Sequence, residues 1–115
     1  SWTGEITMAT LSVIILAKNE QQNIKECIET TVQFADEILV IDDYSTDDTA
    51  EIAMSMGAKV AQHRMDGDWS QQRRYAVAKS TSEWILFLDA DERISTELRQ
   101  EILAVLDRTF QCVPP

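Results

Sequence analysis

The sequence predicts a three-layer α/β/α domain built on a parallel sheet, and three observations carry that prediction. Four short apolar segments alternate with stretches of helical periodicity, in the order βαβαβαβα. The intervening stretches are too long for hairpins, so each strand returns through a right-handed crossover and lies parallel to the one before. The apolar runs are nearly continuous rather than alternating, which is how strands covered by helices on both faces read.

The first strand is LSVIILA, Leu11–Ala17, ended by the polar Lys18, Asn19 and Glu20. Ile24, Cys27, Ile28, Thr31 and Val32 then fall at i, i+3, i+4, i+7 and i+8, one face of an amphipathic helix for which Asn19 is the expected N-cap. After a turn around residues 34–36, EILVI at 37–41 forms a second strand closed by Asp42 and Asp43. Ser45 or Asp47 is placed to cap a short helix over about residues 48–56, with Gly57 stopping it at C′. Lys59–Gln62 is a short third strand, and a loop at 66–70 offers Asp68 or Ser70 as cap for a helix running to about Lys79. Residues 83–88 form a fourth strand expected to be buried on both faces. A closing helix begins near Ser95, with Leu98, Ile102, Val105 and Leu106 on one side, and Pro114 and Pro115 forbid its continuation. Residues 1–10 read as a polar leader and 11–110 as the domain.

Composition excludes several classes of function. The 115 residues suffice for one core but are few for an α/β enzyme with separate donor and acceptor sites, so the expectation is part of a longer enzyme. A net charge of -10 leaves no basic surface for a nucleic-acid backbone. No apolar run approaches bilayer length, and residues 1–5 lack the basic start and apolar centre of a signal peptide, so a cytoplasmic location is expected. Cys27 and Cys112 stand far apart without a CxxC pattern and read as reduced thiols, while the lone His63 cannot build a zinc site and is assigned to the surface. With only Gly4, Gly57 and Gly67, neither a GxGxxG fingerprint nor a P-loop can be assembled.

What remains is acidic chemistry at strand ends. Asp89 and Asp91 follow directly on the fourth strand. At a separation of ~4 Å two like charges repel by about 4 kcal/mol at an effective dielectric near 20, so a divalent cation between them resolves the conflict. Asp42 and Asp43 end the second strand in the same way. In open parallel sheets ligands bind beyond the carboxyl ends of the strands, so two acidic strand ends in one sheet point to one crevice. Arg73 and Arg74 lie in the helix before the fourth strand, where a guanidinium could meet a nucleobase carbonyl or a phosphate.

Three segments, LSVIILAKNE, VIDDYSTDDT and GDWSQQRRYAVAKSTSEWILFLDADER, together resemble the N-terminal, nucleotide-binding half of family 2 glycosyltransferases of the GT-A fold, with wording nearest the lipopolysaccharide core glucosyltransferase subgroup. The resemblance implies that Ala17 and Glu20 line the base and ribose, and that an Asp ending the second strand contacts the nucleobase, with Asp42 favoured and Asp43 the alternative. It implies further that Arg73 lies near base and diphosphate, that Asp89 faces ribose or metal, and that Asp91 ligates Mg²⁺ or Mn²⁺. The donor it implies is a nucleotide sugar, a UDP-sugar by preference, and the acceptor a glycan or lipid-linked molecule reached at the cytoplasmic face of the inner membrane. Such enzymes carry their acidic general base beyond the DxD helix, so no residue here is assigned that role. Tyr44 stands where the family usually has glycine, and Arg74 where many members have asparagine.

The strand order expected is 3-2-1-4, which places Ala17, Asp42 and Asp91 around one pocket and leaves the fourth strand as an apolar edge open to self-association. A receiver-like signalling domain and an α/β interaction module without a ligand are the alternatives. The receiver needs its acidic pair after the first strand, where this chain has Lys18 and Asn19, and a lysine after the last.

Overall fold

The structure, a computed structural model, describes residues 9–111, with side chains through 107. Residues 1–8 of the polar leader, Cys112 and the Pro114–Pro115 helix stop lie outside the described residues. The elements are β1 (Leu11–Ala17), α1 (Ile24–Glu29), β2 (Glu37–Asp42), α2 (Thr49–Ser55), β3 (Lys59–Gln62), α3 (Trp69–Lys79), β4 (Trp84–Asp89) and α4 (Thr96–Gln111). The four strands form one parallel sheet in the order β3-β2-β1-β4, as the sequence predicts.

Two apolar clusters sandwich this sheet. Val13, Ile15 and Ala17 of β1 pack with Ile24, Cys27 and Ile28 of α1, Ala53 of α2 and Leu106 of α4. Ile14 of β1 faces the other way, joining Leu39 and Ile41 of β2 and Ala76 of α3. α1, α2 and α4 therefore cover one face and α3 the other. Right-handed crossovers require this of α1, α2 and α3 once β4 lies on the opposite side of β1 from β2, and α4 packs back on the α1 face.

Three local expectations are corrected. Asn19 does not cap α1; the helix starts at Ile24 after a turn in which Asn23 and Ile24 donate their backbone N–H groups to the Glu20 carbonyl, at 3.0 and 2.9 Å. The helix then ends at Glu29, so Val32 falls outside it and is 48% exposed. β4 is not buried on both faces, because it has β1 on one side only and Leu88 alone among its residues is buried. In α4, Ile102 and Leu106 reach the core, whereas Leu98 and Val105 border an apolar groove of about 250 Å³ with Leu11 and Trp84. That groove lies at the amino ends of β1 and β4, away from the acidic strand ends.

The amino end of the sheet is tied by Glu37. Its carboxylate accepts hydrogen bonds from Ser12 Oγ at 2.7 Å, Lys59 Nζ at 2.8 Å and the Thr81 backbone N–H at 3.1 Å, joining β1, β2, β3 and the α3–β4 connection. Burial by itself raises the Glu37 pKa, but the bonds from Lys59, Ser12 and Thr81 outweigh it and hold the carboxyl below its ordinary value. A depressed folded-state pKa contributes stability that is present above the unfolded pKa and lost as pH falls through the folded one.

Replacing Glu37 with Gln is expected to cost ~1–3 kcal/mol at neutral pH, with the gap between variant and parent shrinking in urea titrations as pH drops below the ordinary carboxylate range. Among the described residues the outer edge of β4 has no partner strand, and we propose that it pairs with a second copy: light scattering of this chain at high concentration is expected to show dimers or larger species, and a clean monomer would contradict this.

Candidate functional site

The site is built where the strands deliver their carboxyl ends. Register sets Ala17 of β1 opposite Asp42 of β2, and Leu16 opposite Asp89 of β4. The chain leaves β2 with Asp43 donating its backbone N–H to the Ala17 carbonyl at 2.9 Å, so the Asp43 side chain emerges beside Ala17. Ala17, Lys18, Asp43, Met65, Trp69 and Gln72 line a small cleft there.

Asp42 is fully buried beneath this cleft. Its carboxylate accepts from Ser45 Oγ at 2.5 Å, Ser45 N at 3.2 Å and Gln62 Nε2 at 3.3 Å. The same Ser45 hydroxyl accepts from the Asn19 N–H at 2.8 Å, and the Asn19 side-chain carbonyl accepts from Thr46 N at 2.8 Å. Glu20 N donates to Thr49 Oγ1 at 2.8 Å and Gln21 N to Asp47 at 3.2 Å. The loops after β1 and β2 are therefore laced into one body, and the STDDT residues supply most of the thread. Burial pushes the Asp47 pKa up, but its bonds from Thr49 and Gln21 prevail and hold it below the ordinary carboxylate value.

The DxD turn is braced from the other side. The Asp89 N–H donates to Glu92 Oε1 at 2.8 Å while Glu92 N returns a bond to the Asp89 carbonyl at 2.9 Å. Arg93 donates to the Ala90 carbonyl at 3.0 Å and to Asn23 Oδ1 at 3.1 Å, and pairs with Glu26 at 3.5 Å. The Cys27 thiol lies 3.6 Å from the Asp89 carbonyl. Burial, reinforced by the carboxylates of Glu92, Asp91 and Asp89 and opposed by Arg93, pushes that thiol up to about 11. The Asp89 and Asp91 side chains are exposed, and neither carboxylate accepts a hydrogen bond from a described residue.

The structure thus brings Ala17 and Asp43 into one cleft and sets Asp89 on the adjacent strand. It does not bring Glu20 there, since its carboxylate turns to Asn23 Nδ2 at 3.3 Å. Arg73 is exposed on α3, its guanidinium 5.5 Å from the Phe87 ring centre, two residues before Asp89. His63, assigned to the surface from sequence, is a fixed joint: its ring stacks on Tyr75 at 3.7 Å and its Nδ1 lies 2.7 Å from Gln72 Oε1. Among the described residues no cluster of three or more His, Cys, Asp or Glu side chains could hold a metal unaided. Met65, Trp69, Gln72 and Arg93 were not legible as site residues; an aromatic residue in the polar stretch GDWSQQ was the one available hint.

The fold is GT-A-like. The chain belongs to glycosyl transferase family 2, whose pattern it matches over residues 12–113. It is 39% identical over 95 residues to an uncharacterised glycosyltransferase of Rickettsia typhi, covering 83% of this chain and 32% of that relative. It is also similar to a prophage-derived glycosyltransferase of Bacillus subtilis, 35% identical over 98 residues, covering 84% and 23%. The chain spans about a third of the length of the rickettsial relative. Among solved structures, glucosyl-3-phosphoglycerate synthase of Mycobacterium tuberculosis, in complex with Mn²⁺ and UDP-glucose, superimposes with a TM-score of 0.62 at 28% identity, over 72% of this chain and 33% of that one. Mannosyl-3-phosphoglycerate synthase of Rubrobacter xylanophilus shares the fold with a TM-score of 0.67 at 24% identity, over 84% and 37%. No helix among the described residues is long and apolar enough to cross a membrane.

Ser45→Ala removes a donor to the buried Asp42 and the acceptor of the Asn19 N–H. A loss of ~1–3 kcal/mol in urea unfolding is expected, with the far-ultraviolet circular dichroism unchanged.

Proposed function

We propose that this chain is the donor-binding part of a metal-dependent, inverting glycosyltransferase that takes its sugar from a UDP-sugar and passes it to a glycan or lipopolysaccharide-type acceptor. The observation that carries the reading is the pair of exposed carboxylates, Asp89 and Asp91, left without hydrogen-bonding partners on a turn that is otherwise braced on both sides. Two carboxylates alone are an incomplete shell for Mg²⁺ or Mn²⁺, which suits a cation that completes its coordination with diphosphate oxygens and water. When bound, such an ion offsets the negative charge gathering on the departing nucleoside diphosphate. The mycobacterial synthase solved with Mn²⁺ and UDP-glucose is consistent with this use of the fold.

The chain's own groups divide the rest of the work. Asp43 faces the cleft with one oxygen accepting from Met65 N at 3.3 Å, leaving the other to accept an N–H from a base. We place the nucleobase contact on Asp43 rather than Asp42, whose oxygens are occupied below the surface. Ala17 permits close approach of a ring, and the Asn19–Ser45–Thr46 lacing holds the walls apart. Arg73, near Phe87, is available to a base carbonyl or to the diphosphate. Glu20 secures the start of α1 and acts on the ribose only by positioning the loop. A lipid-linked acceptor would bring the parent enzyme to the cytoplasmic face of the inner membrane.

Calorimetric titration of UDP and UDP-glucose, with and without Mn²⁺, is expected to show metal-dependent binding by the parent chain and its loss in Asp91→Ala. Absence of heat under every condition would sink the reading and leave an interaction module in its place.

A further inference from the structure

Trp69 is unexplained by the packing of its own helix. It is the first residue of α3, whose buried residues are Gln72 and Ala76, yet a ring of this size stands 52% exposed. Singly exposed apolar side chains are ordinary, but this one lines a cleft at the carboxyl ends of the strands. The backbone beneath is fixed, because Asp68 caps the helix by accepting from Gln71 N at 3.0 Å. The indole lines the cleft with Ala17 and Asp43.

The cleft has a volume of about 60 Å³. One buried water needs roughly 10–15 Å³, so the space is on the scale of a single flat ring. Its walls are apolar at Leu16, Ala17, Met65 and Trp69 and polar at Lys18, Gln72 and Asp43, the last with an oxygen to spare. An apolar slot with a hydrogen-bonding rim matches a pyrimidine lying face-on to the indole. Charge favours this division of labour. In a chain of net charge -10, a diphosphate is repelled wherever a cation does not cover it, whereas a neutral base can be held by stacking without one.

The geometry points to Trp69 as the stacking wall of a pyrimidine slot, a nucleobase-binding residue that supplies the metal-independent share of donor affinity. This rests on the donor-site reading above, and the experiment separates the two. With Trp2 and Trp84 replaced by Phe, Trp69 is the sole indole of the three in the chain. Titrating uridine without metal is then expected to quench its fluorescence saturably.

In the otherwise unaltered chain, Trp69→Ala is expected to weaken UDP binding in the presence of Mn²⁺ on the order of tenfold, the scale of a lost base–aromatic stack. Trp69→Phe should retain most of the affinity, and binding of Mn²⁺-pyrophosphate, which has no base, should be unchanged by either substitution. UDP affinity unaltered in Trp69→Ala would overturn the inference and leave the donor site standing. Equal losses for UDP and pyrophosphate would overturn it too, by showing that Trp69 acts on the fold. A parent chain that binds neither uridine nor UDP would remove the donor reading and this inference together.

Discussion

The acidic end of this domain depends on β1 being buried on both faces and hydrogen-bonded on both edges. Val13, Ile14 and Ile15 are completely inaccessible, with β2 on one side and β4 on the other. The chain passes from β1 to β2 in one direction and later crosses back to place β4 in the other. The loops leaving β1 and β2 border a cleft at their carboxyl ends, and the turn leaving β4 is tied back to α1 through Arg93. Ala17 and Lys18 at the end of β1 and Asp43 after β2 reach the wall of the cleft, while Glu20 turns away to Asn23.

A crevice between loops is useful only if the loops hold still, and here polar lacing substitutes for a packed core. The loop after β1 borrows side chains from the STDDT segment, and that segment borrows the Asn19 carbonyl in return. Asn19 adopts a left-handed backbone, φ 53°, which a short amide side chain tolerates. Tyr44 does so too, at φ 51°, and there the family's usual glycine would be strain-free. The guanidinium of Arg64 lies 4.2 Å from the Tyr44 ring centre, a contact of about 0.5–1 kcal/mol at an exposed site that partly offsets the strain. Tyrosine at this position is accommodated by a partner from the β3–α3 loop, which a reading of the turn by itself could not supply.

The fourth strand shows the same dependence on neighbours. WILFL reads as a fully buried strand, yet three of its five apolar residues are only partly covered and Trp84 is largely exposed, since among the described residues β4 is an edge. Apolar composition records what a strand is able to bury. How much it does bury depends on what lies beside it. The Arg93 brace likewise joins residues 67 and 70 positions apart, in Glu26 and Asn23, so no local pattern announces it.

Hydrophobic periodicity and glycine placement were enough to determine the number and type of elements and their parallel arrangement, and the positions of the acidic pairs set which strand ends carry carboxylates. These are properties of short segments, and short segments carry them in their own residues. Which aspartate of the 42–43 pair faces outward, why Asn19 joins two loops instead of capping a helix, and how His63, Gln72 and Trp69 become walls and joints were settled only by the tertiary structure. Each of those outcomes depends on hydrogen bonds and contacts between residues distant in sequence, where burial and partner geometry, rather than local propensity, decide which way a side chain turns.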